Sequence, residues 1–213
     1  MSSTDAPVVA PFGEFEPPEI LGRNLQVGAR MMAAAQAFAL LAFVFAFFYL
    51  RALNSNGAWR PKHVDPSAGV GLAMLVCLVG CGAAYWYGLQ RLGDGTESGW
   101  RGGAIAALVL GIAAFVLIIV QFASISFGPT SGGYASVFVG WNAFFGVNLL
   151  LVVGWLETLV AQSLHTHTQE VAPETGDIAA PFALMRPAGD AFAVVLYTTL
   201  VFGIVGYVML YLV

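Results

Sequence analysis

The chain has 213 residues and a net charge of −4, with 59% hydrophobic and only 9% charged side chains, and a mean hydropathy of +0.80. A water-soluble domain carries about 25% charged residues, so this composition excludes a surface that meets water over most of its area. It also excludes a nucleic-acid binder, because no run of Lys and Arg occurs.

Residues 1–28, MSSTDAPVVAPFGEFEPPEILGRNLQVG, are acidic and rich in proline. They lack the basic start and apolar core of a signal peptide and read as an irregular cytoplasmic extension. Within it, Phe12, Phe15 and the Pro17-Pro18 pair suit contact with a partner or a membrane surface. Five apolar runs follow, at about 29–53, 68–90, 104–127, 134–164 and 190–212. Each exceeds or matches the ~20 helical residues that cross a bilayer. Barrel strands would alternate over ~10 residues, whereas these runs are continuously apolar. The breakers between them are SNGAWRPKHVDPSAG, the glycine-rich RLGDGTESGWRGG and GPTSGG. The expected fold is all-α, a polytopic membrane protein whose five transmembrane helices form one bundle over residues 29–213.

Charge sets an orientation. Arg23, Arg30, Arg91, Arg101 and Arg186 fall on one side, and Arg51, Arg60 and Lys62 on the other. The excess puts the amino terminus in the cytoplasm and the carboxyl end outside. Gly80, Ala84 and Gly88 in the second run, and Gly103, Ala107 and Gly111 in the third, recur at the spacing that lets membrane helices approach closely. Cys77 and Cys81 lie four apart in LVCLVGCGAAYW and read as small packing residues, neither disulfide nor metal pair.

The fourth run, YASVFVGWNAFFGVNLLLVVGWLETLVAQSLH, differs from the others. It holds Asn142, Asn148 and Glu157, the one carboxylate inside the long apolar segments. Polar groups in lipid face protein or water, so this run is expected to form an inner wall, with Glu157 near its cytoplasmic end paired to a neighbouring subunit or headgroup. Gln36, Gln121, Asn142 and Asn148 are expected to join helices by hydrogen bonds. Asp190, after Pro187-Ala188-Gly189, reads as the N-cap of the fifth helix. The histidines are His63, in a loop, and the His165-x-His167 pair, which reads as polar residues at a helix exit. None lies inside an apolar run, so no haem or copper is expected to be bound by this chain.

These residues bring a family into view. FAFFYLRALNSNGAW, Phe45 to Trp59, resembles the end of a helix in subunit III of the haem–copper oxidases, the cytochrome c and quinol oxidases, in its short five-helix bacterial form. Tyr49, Leu50, Arg51, Asn54 and Trp59 match, and Arg60 intervenes before Pro61. Gln121 falls where the family has a glutamine. SGGYASVFVGW, Ser131 to Trp141, is similar to the family's Ser-Gly-x-Tyr-x-Ser-x-Phe start of the penultimate helix. The chain departs from the pattern at Gln36, where the family has a glutamate, and at Phe145 and Asn148, where it has histidines.

The resemblance implies a non-catalytic subunit of a respiratory terminal oxidase in the bacterial cytoplasmic membrane. The complex would reduce O₂ to water and pump protons. Haem and copper would sit in the partner catalytic subunit I and the copper-carrying subunit II. This chain would scaffold the catalytic subunit, support proton uptake and bind membrane phospholipids. Contacts with lipid or subunits are expected at Arg23, Arg30, Arg51, Trp59, Gln36, Gln121, Tyr134, Ser136 and Glu157. Two alternatives stand beside it: a small multi-pass transporter or channel lined by Asn142, Asn148 and Glu157, and an accessory subunit of a nitric oxide reductase.

Overall fold

Backbone in lipid has no water to bond, so an uninterrupted apolar run closes its own N–H and C=O groups into a helix. The computed structural model describes residues 18–54, 59–62, 64–169 and 179–213, and for 18–19, 165–169 and 179–184 the backbone alone. Its helices are α1 (Pro18–Ala52), α2 (Ala68–Gly93), α3 (Glu97–Ser124), α4 (Gly133–Gln169) and α5 (Ala179–Tyr207), the last closing in a π turn, Val208–Leu212. All five are long and apolar enough to cross a membrane. The chain is an all-α polytopic membrane protein.

Several helices begin earlier than the apolar runs that mark them. α1 starts at Pro18, inside the stretch expected to be irregular. Proline at a first helical position has its φ pre-set and no N–H to leave unpaired, so it opens a helix that its density suggested it would prevent. α3 starts at Glu97, where Glu97 pairs with Arg101 one turn on at 3.1 Å and Trp100 is fully buried. It ends at Ser124, short of the expected 127, and Phe127 turns inward from the loop. α5 starts at Ala179 and carries Pro187 internally. Asp190 is therefore no N-cap; it sits within the helix, paired with Arg186 at 3.3 Å. Residues 1–17 and His63 lie outside the described residues, as do the side chains of His165 and His167.

α2 and α3 make the closest pair. They are joined by a turn in which Gly95 takes φ 74°, and the Thr96 hydroxyl and N–H both donate to Arg91 O. The small-residue faces expected from spacing meet here. A Cβ placed on Gly103 would stand 2.5 Å from Gly88 Cα and 2.8 Å from Ala84 O. Backbone touches backbone, which no larger residue permits. Cys77 and Cys81 are free thiols.

α1 and α5 run in the same direction: Gly22 approaches Pro187 at one end and Gln36 bonds Thr199 further along. α4 runs opposite to α1, with Gly140 against Phe43 and Gly133 near Leu50. Two apolar clusters fill the interior. One, around Phe47, Phe138, Trp141 and Phe145, lies toward the end that carries the first and third loops. The other, around Tyr85, Trp100, Leu156 and Phe192, lies toward the opposite end.

Gly103→Ala is expected to force α2 and α3 apart and to cost about 1–3 kcal/mol, as overpacked cores do. Gly102→Ala, one residue away with open space around it, should be nearly neutral. Thermal unfolding of the two variants in detergent checks this; equal losses would refute the close crossing.

Candidate functional site

Two polar constructions stand out in an otherwise apolar bundle. The first joins three helices at membrane depth. Gln36 Nε2 of α1 donates to Thr199 Oγ1 of α5 at 2.7 Å, and Asn148 Nδ2 of α4 donates to the same oxygen at 3.3 Å. The Thr199 hydroxyl spends its own proton on Val195 O at 2.9 Å, so its oxygen is free to accept from both amides. All three residues are buried, and Gln36 Oε1 has no hydrogen-bond partner among the described residues. None of the three side chains titrates near neutral pH, so the node ties helices together and does not relay protons by its own ionisation. Asn142, also expected to bridge helices, instead bonds Phe138 O one turn back on α4 at 2.8 Å.

The second construction is a clasp at the end bearing the first and third loops. The N–H of Tyr134, in the first turn of α4, donates to Trp59 O at 2.9 Å, satisfying one of the donors that a helix start leaves free. Trp59 N–H in turn donates to Asn54 Oδ1 at 3.1 Å. The Trp59 ring meets Phe47 and Tyr134 edge-on, at 5.1 and 5.9 Å. It lies so close to Gly133 that a Cβ there would stand 2.9 Å from the indole.

Arg60 covers the other face of this arrangement. Its guanidinium lies 4.6 Å from the Tyr134 ring centroid, pairs with Asp65 at 2.7 Å and donates to Val64 O at 3.2 Å. The Tyr134 hydroxyl donates to Leu210 O in the π turn at 2.5 Å. The Ser136 hydroxyl donates to Pro129 O and Gly132 O. Nearby, the Gln121 amide, assigned with its nitrogen toward Ser67 O and its oxygen toward Ser67 N–H because only that orientation pairs donor with acceptor, exchanges two hydrogen bonds with the backbone of Ser67, at 3.2 and 3.3 Å. The first loop, the third loop and the carboxyl-terminal turn are thus held to the start of α4.

Of the residues singled out from sequence, Trp59, Tyr134 and Ser136 gather in the clasp, Gln121 fastens the adjacent loop, and Gln36 belongs to the node. Arg23, Arg30 and Arg51 stand apart on the outer surface, Arg51 with its guanidinium 6.0 Å from the Phe47 ring. Glu157 faces outward and does not line the interior with Asn142 and Asn148, because the turn of helix that buries Leu156, Leu159 and Val160 sends position 157 away from the bundle. Phe145, at one of the family's histidine positions, is fully buried and stacks on Trp141.

Sequence reasoning missed Thr199, Arg60 and the fastening at the opposite end. There the Tyr85 hydroxyl donates to Gly189 O at 2.8 Å, and Arg186 Nη1 donates to Leu89 O at 3.1 Å, in the last turns of α2. The Thr198-Thr199 pair inside an apolar run was the available signal for the node. Among the described residues no three His, Cys, Asp or Glu side chains come together as metal ligands.

No protein-family model matches the chain, and no curated protein sequence does either.

Thr199→Val leaves two buried amide donors without their acceptor. It is expected to cost about 1–2 kcal/mol, whereas Thr199→Ser should stay near wild type. Adding Gln36→Leu to Thr199→Val should recover part of the loss, because the orphaned amide is then gone. Unfolding of this mutant cycle in detergent measures it; strictly additive losses would refute the shared acceptor.

Proposed function

We propose that the chain is a non-catalytic subunit of a respiratory terminal oxidase, of the kind that subunit III forms in haem–copper cytochrome c and quinol oxidases. The observation that carries this reading is the clasp. Two of the stretches that bear the resemblance, Phe45–Trp59 and Ser131–Trp141, lie far apart in sequence, yet they close on one another through Trp59, Gly133 and Tyr134. A residue pattern shared for structural reasons is expected to do that.

In this reading haem and copper belong to the catalytic partner and the copper-carrying subunit, which reduce O₂ and pump protons. The present chain contributes a stiff flank. Its aromatic residues set its depth: Tyr134 and Trp155 are separated along α4 by about 31 Å at 1.5 Å per residue, close to the ~30 Å hydrocarbon thickness, and such residues favour the two interfaces. The Lys and Arg distribution, five against three, favours the amino terminus in the bacterial cytoplasm and the clasp at the outer interface. The amide of Gln36 supports proton uptake in the complex only by holding α1 against α4 and α5.

Phospholipid contact fits the outer surface. An apolar cavity of about 240 Å³ between α1 and α5 is lined by Val44, Phe48, Ile204 and Val208 among others. Arg51 lies one turn beyond Phe48, where an acyl chain in the groove would bring its phosphate. Arg23 and Arg30 offer the same chemistry at the cytoplasmic interface.

Purification of the chain from native membranes in mild detergent, followed by a reduced-minus-oxidised spectrum, tests the reading. Haem bands with O₂ consumption are expected. A haem-free preparation would sink it, and NO consumption in place of O₂ would move the chain to a nitric oxide reductase. In such a complex Tyr134→Phe, which loses only the bond to Leu210, should lower thermal stability by about 1 kcal/mol and leave turnover unchanged. Loss of turnover in an intact complex would contradict the structural role of the clasp.

A further inference from the structure

We infer that the outward face of α4 around Glu157 docks a membrane helix of a partner subunit, one that presents an arginine or lysine near its cytoplasmic end. The inference rests on the subunit reading and on the orientation proposed above.

Two independent features meet on this face. The first is an unpaired charge. Asp65, Glu97 and Asp190 each have an arginine within 4 Å, whereas Asp94, in the turn between α2 and α3, and Glu157, within a membrane helix and facing outward, have no such partner among the described residues. Glu157 follows Trp155 by two residues, so it lies at the edge of the hydrocarbon, where opposite charges attract more strongly than they do in water. The second is shape. A Cβ on Gly154 would meet nothing within 4 Å, Ala161 is small and exposed, and the Thr158 hydroxyl is turned back to Trp155 O, leaving its methyl outward. Gly154, Thr158 and Ala161 therefore form a shallow notch beside Glu157, flanked by the exposed side chains of Leu150 and Leu164. A notch of small residues lets a second helix backbone approach closely.

The occupant follows from these features. A lipid headgroup could meet the carboxylate but has no use for the notch. A second copy of this chain, paired through the same face about a two-fold axis, would set Glu157 against Glu157, and like charges so placed repel. A different helix satisfies both features, and Lys and Arg are the residues that cluster at the cytoplasmic ends of membrane helices. Gly28 on α1 and Gly102 on α3 are equally open, but Gly28 lies two residues from Arg30 and Gly102 next to Arg101, which is paired to Glu97. Neither offers an acid.

The test uses the chain in its native complex. A benzophenone amino acid at Ala161 is photolysed in membranes, and the crosslinked peptide is mapped by mass spectrometry. A membrane-helix peptide of another protein carrying Arg or Lys is expected. Glu157→Lys should reduce copurification of that protein about tenfold, and changing its cation to Glu should restore it. Gly154→Leu should act as Glu157→Lys does, and Gly102→Leu should not. Melting of each isolated variant, followed by circular dichroism, confirms that the chain itself remains folded.

Crosslinking to lipid alone or to a second copy of this chain would overturn the inference. So would wild-type copurification of both Glu157→Lys and Gly154→Leu. A reduced-minus-oxidised spectrum of the same preparations separates the two readings. A haem-free complex that still yields the cationic helix keeps the docking face and removes the oxidase. A haem-bearing complex indifferent to both variants does the reverse.

Discussion

One oxygen atom holds three helices. Thr199 Oγ1 accepts from Gln36 on α1 and from Asn148 on α4 while sitting on α5, and it can do so because its proton is committed to Val195 O. In lipid, apolar burial gives helices little reason to choose one neighbour over another, so packing and polar contacts decide the arrangement. A displaced register would leave the two amides without their acceptor in a site that is closed to water. Lateral placement within the bundle is thus specified by three side chains that carry no charge.

The two ends of the bundle are fastened by different means. At the end that carries the first and third loops, a tryptophan meets a tyrosine edge-on, an arginine covers the tyrosine ring, and hydrogen bonds run from Asn54 through Trp59 to Tyr134 and on to Leu210. At the other end, Arg186 and Tyr85 bond backbone carbonyls of α2 and α5, so a side chain from each helix is spent on the partner's main chain. The glycine crossing of α2 and α3 lies at this same end, with Gly88 beside Leu89, and uses no polar side chain.

Much of this was legible in the sequence, for a physical reason. Five continuous apolar runs admit one backbone solution in lipid, and the glycines at four-residue spacing admit close approach, so helix number and the α2–α3 crossing follow from composition and period alone. Helix starts were less legible, because Pro18, Gly102-Gly103 and Pro187 are residues that break helices in water yet are accommodated here at a first turn, in a backbone contact and inside α5. The rotation of α4 about its axis was not legible at Glu157, because a single polar residue does not reveal which way its helix is turned. That depends on Leu156, Leu159 and Val160 finding the interior. Trp59 and Tyr134 were legible as notable residues, but their contact was not, since nothing in a linear pattern says which loop folds over which helix.

The shared acceptor also orders the birth of the molecule. Gln36 and Thr199 are separated by 163 residues, and membrane chains are made from the amino terminus onward. When α1 enters the bilayer, its amide has no counterpart, and none exists until the last helix is synthesised. α2 and α3, joined by a three-residue turn and locked glycine to glycine, can close as a hairpin at once. α1 has no such early closure through Gln36, whose acceptor on α5 is the last to be made.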